Sequence, residues 1–195
     1  MLGHSDAATR TQGQEVLKQV LPRAKIEETR ILCYQQLAIA YYLADQYNES
    51  VEVLKRALAE FPDDWELNNN LAFTLATHLG RAKDALEPAE RAAAIRPTNV
   101  DSLDTLGAVY LLAGDLDKAE QVLRKAVVAG GRLIGQTSAM IHLCKTMLAK
   151  KDIPAARKIF DDLNQLAKSV SSEMPADQKK ELEAIRTQLD SPQNR

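Results

Sequence analysis

Three histidines (His4, His78, His142), two cysteines (Cys33, Cys144) and two adjacent carboxylate pairs (Asp63-Asp64, Asp161-Asp162) are the side chains best suited to bind metals or do acid–base work in this chain. A structural zinc site draws on Cys and His at short, regular spacing, and no pair here has it. His4 stands in a polar terminus, and His78 and His142 fall in different repeats of the pattern described below. The carboxylate pairs sit where helix ends or exposed faces are expected, so they read as solvated charge or caps; a cation site would need further oxygen ligands converging on them. Gly-rich phosphate cradles follow strands, and the sequence carries no credible strand. These residues predict no enzyme, no metal and no cofactor.

Composition points to helices throughout. The 195 residues are 45% apolar but only 5% aromatic, with eight glycines, and Ala, Leu, Glu, Lys, Arg and Gln predominate. All six are good helix formers. A formal net charge of −2 with interspersed signs gives no footprint for nucleic acid. No apolar run approaches the roughly 20 residues that span a bilayer, so no membrane insertion is expected. The start, Met-Leu-Gly-His-Ser-Asp, lacks a basic segment followed by an apolar one, hence no signal peptide is expected. The default compartment is the cytoplasm, with a periplasmic or envelope-associated place if the chain is part of a longer protein.

The stretch from Val100 to Ala126 organises the remainder. Counting Val100 as slot 1, Leu103, Leu106, Gly107 and Tyr110 occupy slots 4, 7, 8 and 11, one face of a helix. Ala119, Leu123 and Ala126 mark a second helix at slots 20, 24 and 27. Gly107 removes the side chain where the two helices approach. Gly114 suits the reversal, and Asp115 can cap the second helix.

This pattern resembles the tetratricopeptide repeat, a helix–turn–helix unit of about 34 residues. The register extends to Tyr34, Leu37, Ala38, Tyr41, Ser50, Leu54, Ala57 and Pro62 from Ile31. From Trp65 it gives Asn68, Leu71, Ala72 and Leu75, then Ala85, Ala89, Ala92 and Pro97 after one extra residue in the turn. From Thr137 it gives Met140, Leu143, Cys144, Met147, Ala156, Phe160 and Leu163. Ser50 and Asn68 depart from the apolar or small residues usual in their slots. Cys144 fills a small-residue slot, and its repeat lies too far from that of Cys33 for a disulfide. The phrases Leu67-Asn-Asn-Asn-Leu-Ala and Asp101-Ser-Leu-Asp-Thr-Leu-Gly look like those of large bacterial tetratricopeptide scaffolds.

The resemblance implies an all-α, right-handed superhelical solenoid of helix–turn–helix repeats with a C-terminal capping helix. Residues 1–24 are expected as a disordered stretch over 1–10, followed by a short helix from Gln12 to Leu21, a repeat remnant or cap. Repeats are expected at about 31–64, 65–99, 100–133 and 137–170 within a domain of 25–170. A linker, a charged helix and a tail follow in 171–195. Pro88 predicts a helix that either starts near Asp84 or kinks.

In this family the first helices of the pairs line a concave groove for partner peptides, and the resemblance implies the same here. The groove slots hold Gln35, Ile39, Tyr42, Glu66, Asn69, Phe73, Asp101, Asp104, Ala108 and Leu111, with Leu32, Leu43, Leu112, Ser138, Ile141, Lys145 and Leu148 on the same faces. Ile39, Tyr42, Phe73 and Leu111 are large apolar groups away from the expected core, a mark of interaction surfaces. Glu66, Asp101 and Asp104 make part of the face acidic. The expected partner is therefore a protein or peptide with apolar anchors and basic residues. Chaperone-binding members grip a carboxylate with Lys, Arg and Asn. The corresponding slots here, Gln35, Ile39, Asn70, Asp101 and Thr105, exclude that grip. The function expected is a protein-interaction scaffold, with a place in bacterial envelope assembly or secretion. Its alternative is a self-association module whose groove holds its own chain, a homo-oligomer.

Overall fold

The computed structural model describes residues 7–130, 134–169, 175–191 and 194. Ten α-helices occur among them: α1 (Ala7–Val20), α2 (Glu27–Tyr42), α3 (Tyr47–Glu60), α4 (Trp65–Phe73), α5 (Ala82–Ile95), α6 (Val100–Ala113), α7 (Leu116–Gly130), α8 (Ile134–Ala149), α9 (Ile153–Ser169) and α10 (Ala176–Leu189). A π-helical turn, Thr74–His78, prolongs α4. The chain divides into two compact units, Met1–Ile95 and Arg96–Arg195.

In the first unit, α2 pairs with α3 and α4 with α5. Leu37, Leu54, Ala57, Leu67, Ala72, Ala85, Ala89 and Ala92 form the core, all at or below 3% exposure. The polar departures from the repeat each donate hydrogen bonds to main-chain carbonyls. Ser50 Oγ donates to Ala38 O at 2.9 Å, tying α3 to α2. Asn68, 3% exposed, donates through Nδ2 to Pro62 O and Asp64 O at 2.9 and 2.8 Å, closing the entry to α4. Asp64 caps that helix by accepting from the Leu67 N–H at 2.8 Å. Helix α5 starts at Ala82 and runs through Pro88, which is buried in its second turn. Proline offers no N–H to the Asp84 carbonyl, so this helix holds together without that bond.

Helix α1 starts at Ala7, well before the expected Gln12. Ala7 and Ala8 are the strongest helix formers and extend it by more than a turn. It packs on α2. Its buried Gln14 donates to Ala40 O at 3.2 Å and to Gln46 Oε1 at 3.1 Å. Residues 1–6 of the expected disordered stretch and 171–174 of the expected linker lie outside the described residues.

In the second unit, α6 pairs with α7, α8 with α9, and α6 also packs on α8. Leu123, Ala126, Ala139, Cys144, Ala156 and Leu163 are fully buried. Gly114 adopts φ +85°, the left-handed conformation that ends α6, and Asn99 caps its start through the Ser102 N–H at 2.8 Å. Asp152 caps α9 in the same way through Ala155 N–H at 3.1 Å. Helix α10 buries Leu182, Ile185 and Leu189 against α8 and α9 and leaves its charged residues outside. Arg157 Nη2 donates to Leu189 O at 2.6 Å, satisfying a carbonyl at the end of α10.

Candidate partner-binding faces

The extra residue of the second repeat is accommodated inside the helix. The Leu79 N–H bonds to Thr74 O, five residues back, which defines a π turn. That turn carries His78 to the aromatic side chains of the first repeat. Its ring stacks on Tyr47 with centroids 4.2 Å apart and meets Tyr42 edge-on at 5.0 Å and Phe73 at 5.8 Å. The Tyr42 hydroxyl lies 2.9 Å from His78 Nε2. Tyr42 also contacts Tyr47 and Phe73, with centroids 5.6 and 6.1 Å away. Burial lowers the His78 pKa, opposed by the nearby Asp45 carboxylate. The Tyr47 hydroxyl donates to Asp45 Oδ1 at 2.6 Å, a bond that holds its proton and pushes its pKa to about 12.

Tyr42 and Phe73 form the wall of a pocket of about 280 Å³ between α2, α3 and α4, together with Ile39, Leu43 and Leu54. Ile39 is 36% and Leu43 56% exposed. One turn earlier on α2, the half-buried Gln35 donates to Glu66 Oε2 at 3.1 Å. Asn69 is half-buried, and its Oδ1 is shielded from solvent with no hydrogen-bond partner in the structure. The structure thus gathers Ile39, Tyr42 and Phe73 on one pocket, with Gln35 and Glu66 bonded to each other.

On α6 the expected face residues divide. Asp101 is exposed and Leu111 half-buried, next to Leu112 at 54% exposure. Ala108 is 4% exposed and offers a partner little area, and on α8 Ile141 and Leu148 are buried too. Asp104 is engaged within the unit. Its Oδ2 accepts from Ser138 Oγ at 2.6 Å, and its Oδ1 lies 2.7 Å from His142 Nδ1. The sequence raised His78 and His142 only as metal or acid–base groups, and their contacts with Tyr42 and Asp104 were not foreseen. The signal for both was the repeat length, since each contacts a residue about one repeat earlier.

Charge is distributed unevenly between the helices. The first helices of the four pairs, α2, α4 with its π turn, α6 and α8, contain five carboxylates: Glu27, Glu28, Glu66, Asp101 and Asp104. Their two cations are both in ion pairs, Arg30 with Glu60 at 2.5 Å and Lys145 with Glu181 of α10 at 2.7 Å. The second helices carry Lys and Arg as well as carboxylates, among them Lys55, Arg56, Lys83, Arg91, Arg124 and Lys125. Among the described residues no three His, Cys, Asp or Glu side chains are placed to share a metal ion. Burial pushes the Cys144 thiol to about 11, so it is not a nucleophile near neutral pH. No helix of the described residues is long and apolar enough to cross a membrane.

Comparison with known proteins agrees with the repeat register. Two tetratricopeptide-repeat family models match residues 30–60 and 100–127. The heat shock protein STI1 of Saccharomyces cerevisiae is 27% identical over 135 residues, 67% of this chain. The chain spans only 23% of that relative's length. Among solved structures, a double mutant of MamA RS-1 has a TM-score of 0.72 at 22% identity, covering 85% of this chain and 89% of that one. The second TPR domain of human RPAP3, in complex with the HSP70 peptide SGPTIEEVD, has a TM-score of 0.56 at 15% identity, covering 62% of this chain and 98% of that one. The helix pairs over residues 30–60 and 100–127 are therefore tetratricopeptide repeats, and the chain has the all-α solenoid fold of proteins built from them. Proteins of this kind are protein-interaction scaffolds.

Proposed function

We propose that this chain is a scaffold, not an enzyme, and that it binds a partner segment on the first-helix faces of its repeats. The observation that carries this reading is the pocket bounded by Ile39, Tyr42, Leu43 and Phe73, large apolar groups on helices whose other faces already build the core. Contiguous apolar surface of this kind marks interaction sites. The excess of carboxylates on the same helices favours a partner with Lys or Arg beside its apolar residues, since complementary charge steers association and fixes register. An acidic segment such as the one bound to RPAP3 is disfavoured, because the two cations of the first helices are already paired. The wording of the repeats supports a bacterial scaffold, with envelope assembly or secretion as its setting.

The test is capture of partners from lysate of the source organism by the intact chain and by a Tyr42→Glu, Phe73→Glu, Leu111→Glu variant of verified helicity. Loss of specific partners from the variant is expected. Identical partners on both would move binding to the second helices or the termini. Capture of the chain's own copies, with the mass in solution rising with concentration, would instead favour the self-association reading.

A further inference from the structure

The pocket of the first unit has features that go beyond a generally apolar face. Its rim, Tyr42 and Phe73, is held in place by contacts of its own, through His78 and Tyr47. Of the three hydroxyls in its lining, Ser50 donates to Ala38 O at 2.9 Å, Thr74 donates to Asn70 O at 2.8 Å, and that of Tyr42 lies 2.9 Å from His78 Nε2. A polar occupant would therefore find the Ser50 and Thr74 protons already committed, with the Asn70 amide as the remaining polar group of a mostly apolar lining. At about 280 Å³ the space falls just under the roughly 300 Å³ at which small-molecule sites begin. It suits side-chain-sized groups better than a cofactor.

On two of its three helices, α2 and α4, carboxylates outnumber cations, while α3 carries both signs. Helix α4 and its π turn contain Glu66 and no Lys or Arg. The single cation of α2, Arg30, is bonded to Glu60 and to the carbonyls of Leu21 and Ala24. At the other end, the Asp45 carboxylate holds Tyr47, which lies against Tyr42.

We propose that this pocket seats one large apolar side chain (Leu, Met or Phe) of a partner protein, with a Lys or Arg close to it in the partner's sequence. The assignment rests on the reading of the first-helix faces given above and adds to it a fixed anchor point. Because Tyr42 and Phe73 are pre-positioned, seating the anchor costs little ordering, which favours selectivity for its shape.

The experiment uses immobilised twelve-residue peptides of Gly and Ser with one central residue varied among Leu, Met, Phe, Ala, Ser and Asp. Each is made with two flanking Lys or two flanking Glu. The full chain is expected to bind the Leu, Met or Phe peptides with Lys flanks about tenfold or more better than the Ala peptide, the ratio that burying a large apolar group supplies. Ile39→Trp, which fills the mouth, should abolish that preference. So should Leu43→Glu, at a position more than half exposed where the core is not at risk. A preference for Lys over Glu flanks with no dependence on the central residue would overturn the pocket and leave the acidic-face reading standing. Indifference to both features, or no binding at all, would overturn the pocket and count against that reading too.

Discussion

Gly107 of α6 lies directly against Leu123 of α7, so that a methyl group added at Gly107 would overlap the Leu123 side chain. Leu123 is fully buried. Gly107→Ala gains helix propensity of up to about 1 kcal/mol but forces the pair apart. Overpacking of this kind costs about 1–3 kcal/mol, so a net loss is expected in a urea melt. In a Leu123→Ala background the same substitution should cost much less. Equal costs in both backgrounds would show that the contact does not set the spacing of the two helices.

Asp104 holds α8 to α6 through Ser138 and His142, with only 14% of its side chain exposed. Bonds to a charged, sheltered group contribute about 1.5–3 kcal/mol each. Asp104→Ala is expected to cost about 2 kcal/mol or more in a urea melt. His142→Ala should be partly redundant with it, with a coupling of roughly 1 kcal/mol in the double-mutant cycle. Additive costs would mean that the two side chains act independently.

His78 makes stability depend on pH. Its pKa is lowered from 6.5 by burial in the folded chain. The unfolded chain therefore binds more protons below that value, and stability present above pH 6.5 is lost as pH falls toward the folded pKa. The melting temperature of the intact chain should drop through this window. His78→Gln should lack that component of the drop. An unchanged acid profile in the variant would place the dependence elsewhere.

The Cys144 thiol, fully buried and pushed to about 11, should resist thiol-labelling reagents at pH 8 in the native chain and react at once in denaturant. Cys33 is buried as well. Rapid labelling of Cys144 under native conditions would show that the α8–α9 pair opens readily.

Much of this architecture was legible in the residue pattern, because the repeat constrains small groups at fixed positions. Gly107, Ala119 and Ala126 announced a close helix pair, and Gly114 announced its turn. Ser50 and Asn68 looked like departures, yet each donates hydrogen bonds to main-chain carbonyls that an apolar residue could not make. The π turn at Thr74–His78 was not legible as such. One extra residue between two helices can enlarge the loop or widen the helix, and spacing alone does not choose between them. On the faces, helical periodicity gave the direction of each side chain but not what lies over it. Tyr42 and Phe73 fall together on the pocket, whereas Ala108 is covered and Asp104 is engaged by residues one repeat later. Contacts across a whole repeat depend on how neighbouring pairs stack, which single-helix patterns do not encode.

The central claim is that partners bind the first-helix faces. Photo-crosslinking tests it most directly. A photoreactive residue is placed at Ile39 or Leu112, both exposed on first helices, and in parallel at Glu52 or Lys125, exposed on second helices. Partner adducts at Ile39 and Leu112, with none at Glu52 and Lys125, are the predicted result. Adducts confined to Glu52 and Lys125 would contradict the claim and put the binding surface on the opposite helices.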